Sequence, residues 1–184
     1  LSGGEGRRVG GEDKGMLAWQ DATLVESVIG RLHPQVNELC ISANRNIPWY
    51  ESLGHPVYND TLEGFQGPLA GIATAMEHCS SADIVVTAPC DSPQIPATLV
   101  QRLGEPLLNN PEQSLSLVHD GERLQYLFMA LRPDCLPSLQ IYLQDGGRSV
   151  RGWLPQLTYS EVDFSDCPDA FINLNRISDE KKPA

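Results

Sequence analysis

An α/β fold, with a mostly parallel, doubly wound sheet and helices on both faces, is what this sequence predicts. Three observations carry that expectation. Apolar runs of strand length alternate with segments of helical periodicity along most of the chain. The run 84–88 is apolar apart from Thr87, as in a strand covered on both faces. A glycine-rich loop bearing cations stands at the front, and sheets of this kind bind ligands outside the carboxyl ends of their strands.

The elements follow in order. After the loop, residues 16–20 form a short apolar stretch. Thr23-Leu-Val-Glu26 has the capping-box spacing, so a helix starts there and ends near His33-Pro34. Residues 36–43 and 56–59 read as strands. Gly67-Pro68 opens the next helix, because proline is favoured where its missing N–H has no partner to lose. Leu69, Ile72, Ala73 and Met76 then fall at i, i+3, i+4 and i+7 and share one face. Residues 84–88 are a strand and 96–103 a helix. Residues 114–118 and 124–131 are strands, 133–143 and 150–154 helices, and 158–164 a last strand before a polar tail from Asp179. No internal repeat or linker interrupts them, so residues 1–184 read as one domain. A cradle loop normally follows a strand, so a first strand is expected ahead of residue 1.

Composition narrows the function. The net charge is −11, which disfavours nucleic acid and anionic lipid as partners. No apolar run approaches the roughly 18 residues of a membrane span, and no signal peptide is visible. The cysteines at 40, 79, 90, 135 and 167 are odd in number and form no C-x-x-C pair. That pattern argues against a zinc site or disulfide framework, and for reduced thiols in a cytoplasmic protein. The histidines at 33, 55, 78 and 119 show no ligand spacing.

The front loop is the most specific signal. Glycines at 3, 4, 6, 10, 11 and 15 surround Arg7, Arg8 and Lys14. Glycine lets backbone N–H groups approach an anion without a Cβ in the way, and the cations neutralise phosphate charge. A Walker A loop is excluded because Lys14 is followed by Gly15 rather than Ser or Thr. A dinucleotide fingerprint is excluded because, with Gly4 as the first position of the motif, the sixth is Val9 and the glycine comes one residue late. The second signal is Pro89-Cys90-Asp91-Ser92-Pro93, which places Asp91 at the carboxyl end of strand 84–88. A carboxylate there suits Mg²⁺, which is commonly held by one or two carboxylates plus substrate phosphates. Taken alone, it reads as a strand-to-helix turn in preference to a metal site; beside the cradle loop the metal reading takes over. Ser42 and Asn44 either read a base edge or terminate their strand. Asp60 ends another short strand. The Gly67 helix start either abuts a nucleotide or punctuates a turn. His119-Asp120-Gly121 reads as a polar turn between two strands in preference to a catalytic pair. Trp19, Trp49 and Trp153 read as packing residues.

The loop L-x-G-G-x-G-x-R-x-G-G-x-D-K resembles that of nucleotidyltransferases. With Ser42-Ala-Asn-Arg45, Asp60, Gly67-Pro-Leu-Ala-Gly71, Pro89-Cys-Asp-Ser-Pro93, His119-Asp-Gly-Glu-Arg123 and Val162-Asp-Phe-Ser-Asp166 through Phe171-Ile-Asn-Leu-Asn175, it resembles the molybdenum cofactor guanylyltransferases over nearly the whole chain. The resemblance implies a Rossmann-like nucleotidyltransferase domain that transfers GMP from GTP to molybdopterin and releases pyrophosphate. Leu1, Ser2 and Gly3 would contact the nucleotide, and Lys14 would bind its phosphates. Arg8 would stabilise the transferring phosphoryl group, and Asp60 would sit near the nucleotide. Asp91 would hold Mg²⁺, while Asn173 and Asn175 would face molybdopterin. It also implies transient contact with other cofactor-biosynthesis proteins or acceptor enzymes. The chain departs from the family at Ser2, Val9, Ser42 and Tyr126. A cytidylyl or sugar-phosphate nucleotidyltransferase and a non-catalytic nucleotide-binding adaptor share the loop and are the competing readings.

Overall fold

The capping box at Thr23 forms as its spacing predicts. The Glu26 backbone N–H donates to Thr23 Oγ1 at 3.4 Å, and the Glu26 carboxylate accepts the Thr23 backbone N–H at 2.8 Å. These bonds satisfy donors that a helix start otherwise leaves orphaned. Helix α1 (Leu24–Leu32) follows and buries Leu24, Val25 and Val28. It gives way at His33-Pro34 to a 3-10 turn. The computed structural model describes residues 1–2, 13–60, 67–79 and 82–174.

A two-residue hairpin, β1 (Ala18–Trp19) with β2 (Ala22–Thr23), precedes α1. Of the expected strand 36–43, only β3 (Ile41–Ser42) is paired, in parallel with β4 (Val57–Tyr58). The pairing is short because its partner is. The Ile41 N–H bonds the Pro56 carbonyl and the Ala43 N–H bonds the Tyr58 carbonyl, and the ladder ends there. Between them lies α2 (Ile47–Glu51), entered through Asn46 at φ +53°. Helix α3 (Pro68–His78) starts at the predicted Gly-Pro and buries every residue from Leu69 to Met76. Strand β5 is Val85–Thr87. Helix α4 (Leu99–Asn109) starts later than expected and runs through Pro106. Leu103 and Leu107, four apart and both fully buried, hold this turn together despite the proline.

Strands β6 (Leu115–His119) and β7 (Leu124–Leu131) form the centre of the sheet. Then come α5 (Leu136–Gln144), α6 (Val150–Trp153) and the edge strand β8 (Tyr159–Asp163). The strand order is β5-β7-β6-β8. Here the expectation of mostly parallel pairing needs correcting. β6 and β8 run parallel, but β7 is antiparallel to both β5 and β6. The cause is the short turn 120–123, since a connection that brief can only reverse the chain. Residues 1 and 2 restore parallel pairing beside β5: Leu1 N bonds the Ala88 carbonyl at 2.8 Å, and the Cys90 N–H bonds the Leu1 carbonyl at 3.1 Å. The Ser2 N–H bonds the Ser42 carbonyl at 2.7 Å, joining this segment to β3.

Helices cover both sheet faces, as predicted. Met129 and Leu131 of β7 pack with Leu69, Ile72, Met76, Leu139 and Trp153. Phe128 and Ala130, alternating with them, pack with Val28, Leu99, Leu103, Leu107 and Phe171 on the other side. A third cluster joins Val25, Ile41, Tyr50 and Cys90. Among the described residues, no helix is long and apolar enough to cross a membrane.

Candidate active site

Asp91 lies where the sequence places it, in the turn after β5. Its Oδ2 accepts from Lys14 Nζ at 3.2 Å, across 77 residues of chain. Its Oδ1 is buried and has no hydrogen-bond partner among the described groups. The Asp91 carbonyl accepts the Leu174 N–H at 2.8 Å, and Ser92 Oγ donates to Asn173 Oδ1 at 3.0 Å. One turn therefore gathers Lys14, Asp91 and Asn173, three residues the sequence singles out from three separate regions.

What holds Lys14 there was not singled out in the sequence. Asp13 is buried, and its Oδ1 accepts from Tyr50 Oη at 2.6 Å and from the Gly15 N–H at 3.2 Å. Its Oδ2 accepts from Asn46 Nδ2 at 3.0 Å and faces Arg45 Nε at 3.8 Å. A carboxylate with several donors is a strong anchor. Burial, and then the bond to Asp13, push the Tyr50 phenol well above its ordinary pKa, so it stays protonated and donating. Asp13 had a signal, its place directly before Lys14 in the loop motif. Asn46 and Tyr50, more than thirty residues on, had none.

Ser42, Asn44 and Asp60 form a second group at the ends of β3 and β4. Asn44 Nδ2 donates to Asp60 Oδ2, and the Asp60 N–H donates to Asn44 Oδ1, both at 2.8 Å. Asn44 thus spends both ends of its amide on Asp60. Burial raises the Asp60 pKa, against the lowering effect of the Asn44 bond. Gly71 of α3 lies against this group, and a Cβ there would run into Ser42 Oγ and approach Asp60 Oδ1 to 3.3 Å. The Gly-Pro-Leu-Ala-Gly motif therefore serves close packing at its last glycine. Gly67, the N-cap of α3 at φ +145°, adopts a backbone that side chains resist.

Asn173 is carried by a braced limb. Arg102 of α4 donates to both carboxylate oxygens of Asp166 (3.1 and 3.0 Å) and to the Asp163 carbonyl, and lies 3.7 Å over the Phe164 ring. Phe171 meets Phe164 and Phe128 edge-on at 5.3 and 5.0 Å, two residues before Asn173. Gly3, Arg8 and Asn175 lie outside the described residues. His119 and Asp120 form the expected turn: Asp120 Oδ1 accepts the N–H groups of Glu122 and Arg123 at 2.9 and 2.8 Å, and His119 Nδ1 accepts that of Gly121 at 3.1 Å. A separate groove of about 420 Å³ lies between the hairpin and Pro93-Gln94, and none of the predicted site residues lines it.

A mononucleotide would find phosphate and metal contacts at Lys14 and Asp91, a polar wall at Asn44 and Asp60, and a second polar limb at Asn173. The family model described as the MobA-like NTP transferase domain matches residues 1–161. The molybdenum cofactor guanylyltransferase of Mannheimia succiniciproducens is 40% identical over 183 residues, 100% of this chain and 95% of its own length. That of Shewanella piezotolerans is 40% identical over 175 residues, 95% of this chain and 85% of its own. Among solved structures, molybdopterin-guanine dinucleotide biosynthesis protein A from Archaeoglobus fulgidus superposes with a TM-score of 0.77 at 20% identity, covering 97% of this chain and 92% of that one. A CMP:2-keto-3-deoxy-manno-octonic acid synthetase complexed with CTP superposes with a TM-score of 0.59 at 14% identity, covering 82% and 83%. At those identities the superpositions establish the nucleotidyltransferase fold, and a fold shared with a CTP complex does not choose the base.

Proposed function

This chain belongs to the molybdenum cofactor guanylyltransferase family, and from that premise we propose that it joins GMP from GTP to the terminal phosphate of molybdopterin. A molybdopterin phosphate oxygen attacks the α-phosphorus, the bond from that phosphorus to the bridging oxygen of the β-phosphate breaks, and pyrophosphate leaves with the electron pair. The observation that carries the reading is the convergence of Lys14, Asp91 and Asn173 on one turn.

The residues present fit a magnesium ion. Asp91 offers a buried oxygen with no hydrogen-bond partner, and Mg²⁺ favours a carboxylate supplemented by phosphate oxygens and water. Among the described residues, no three His, Cys, Asp or Glu side chains converge; phosphate oxygens and water would supplement Asp91. When bound, the ion supplies Lewis-acid polarisation of the phosphates. The chain's own groups do the rest. Lys14 neutralises phosphate charge, and Arg8 takes the transferring phosphoryl. Leu1, Ser2 and Gly3 contact the nucleotide, as the family resemblance implies. Asn44 holds the Asp60 carboxylate in one orientation beside Ser42, forming the wall against the base. Gly67 lets α3 begin close to that wall. Asn173 and Asn175 receive molybdopterin. Catalysis here is alignment and charge neutralisation rather than covalent work. We place the reaction in the cytoplasm, with transient contacts to the proteins that deliver molybdopterin and accept the dinucleotide.

Thermal unfolding with GTP, CTP, ATP or UTP in the presence of Mg²⁺ tests the base. GTP at about 100 times its Kd should stabilise by about 2.7 kcal/mol, and the others by much less. Equal shifts for all four would sink the guanine assignment, and a larger shift with CTP would move the chain to the cytidylyl reading. Binding of GTP with no pyrophosphate release when molybdopterin is present would leave a nucleotide-binding adaptor.

A further inference from the structure

Lys14 and Asp91 neutralise one another at 3.2 Å, with their side chains 26% and 13% exposed. We propose that Lys14 is the resident counter-ion of Asp91. It keeps a divalent cation from settling on Asp91 unless nucleotide is present, and it passes to phosphate when nucleotide and metal enter together. The inference rests on the reading of Asp91 as the metal carboxylate.

Three observations carry it. First, the only Asp91 oxygen left without a partner is Oδ1, and it is buried; Oδ2 faces an ammonium. An incoming dication would meet one carboxylate whose charge is cancelled by a neighbouring cation that repels it. Second, the described residues hold no group of three His, Cys, Asp or Glu that would outweigh this repulsion. A polyphosphate would bring both further oxygen ligands and the negative charge that offsets the ammonium. Third, the two ends of the Lys14 segment differ in freedom. Asp13 is tied to Tyr50, Asn46 and the Gly15 N–H, which fixes the backbone at the root of Lys14. The four-carbon stem beyond it is flexible, so the ammonium can exchange a carboxylate for a phosphate without moving the chain. Charge is conserved in the exchange: the cation leaving Asp91 is replaced there by the metal, and the phosphates take up the ammonium.

Mn²⁺ binding followed by electron paramagnetic resonance, without any turnover, tests this in the wild type and in Lys14→Met, Lys14→Arg and Asp91→Asn, each with and without GTP. Without nucleotide, the wild type and Lys14→Arg should bind Mn²⁺ weakly, and Lys14→Met about fivefold or more tighter. GTP should strengthen Mn²⁺ binding strongly in the wild type and much less in Lys14→Met. Circular dichroism confirms that each variant is folded, and Lys14→Gln gives the same comparison if the methionine variant is not. Nucleotide-free Mn²⁺ binding by Lys14→Met that equals or falls below wild type overturns the proposal. If Asp91→Asn weakens Mn²⁺ binding in the presence of GTP at the same time, the metal reading survives and only the counter-ion role falls. If Asp91→Asn leaves that binding unchanged, the metal reading falls and takes the proposal with it.

Discussion

Gly15→Ala should expose the anchor beneath Lys14. A Cβ on Gly15 would lie well under 3.0 Å from Tyr50 Oη, 3.3 Å from Tyr50 Cζ and 3.4 Å from Ser2 Oγ. Tyr50 is fully buried, and its hydroxyl is committed to Asp13 at 2.6 Å, so the ring cannot retreat without giving up that bond. Overpacking of this kind costs about 1–3 kcal/mol, and a hydrogen bond to a charged group is worth about 1.5–3 kcal/mol. Because relieving the clash sacrifices some of the bond, the expected loss is about 2–4 kcal/mol, a fall in Tm of roughly 4–16 °C. Tyr50→Phe alone should lose about 1.5–3 kcal/mol, but it also removes the atom in the way. Gly15→Ala placed in the Tyr50→Phe background should then cost only about 1 kcal/mol more. Urea unfolding of the four proteins, with unchanged m-values, measures the cycle. GTP affinity should fall in step, because Asp13 sets the root of Lys14. Losses that add within about 0.5 kcal/mol would show that the two sites are not coupled and would refute the anchoring argument.

Three further outcomes are expected. Thr23→Ala should cost about 1 kcal/mol through loss of the α1 cap, read by urea unfolding. Because the bonds from Thr23 lower the Glu26 pKa, that contribution is present above the ordinary carboxylate range and fades as pH falls through it. Arg102→Ala should lower Tm at neutral pH, and the gap from wild type should narrow in acid. Arg102 holds the Asp166 carboxyl below its usual pKa, so this stability is complete above the unfolded value and is lost as pH drops through the folded one. Asp91→Asn should reduce turnover by about 10²–10³ at saturating Mg²⁺ while circular dichroism shows the fold retained, and near-normal rates would remove Asp91 from the metal role.

The parts of this molecule that were legible in the sequence are those fixed by neighbours along the chain. The capping box at Thr23, the Gly67-Pro68 helix start and the strand 124–131 are each decided within a few residues, and each forms as read. The direction of β7 was not legible from its own residues; it follows from the brevity of the turn 120–123, which the parallel expectation overlooked. Helix α2 has five residues with Pro48 near its start, too short for any periodicity to show. Helix α4 continues through Pro106 because Leu107 is buried against the sheet, a tertiary gain that overrides local propensity. The site divides in the same way. Asp91 was legible from its position at a strand's carboxyl end. The contact between Asn173 and Ser92, 81 residues apart, exists only because Phe164 and Phe171 fold the last limb back over the sheet.

The chemistry also accounts for what the site does without. Each described histidine is engaged elsewhere: His33 and His55 face each other at 5.5 Å, His78 stacks on Tyr58 at 3.9 Å, and His119 closes the β6–β7 turn. A histidine base would add little, because a phosphate monoester nucleophile loses its second proton near pH 6 and is already anionic at neutral pH. What remains is electrostatic, the work proposed above for Lys14 and Asp91. The dependence of kcat/KM on pH should therefore rise through the pKa of the molybdopterin phosphate. Replacing His78 or His119 with Gln should leave that midpoint in place. A midpoint that disappears with either histidine would show a protein base at work, and the division of labour argued for Lys14, Asp91 and Asn173 would have to be redrawn around it.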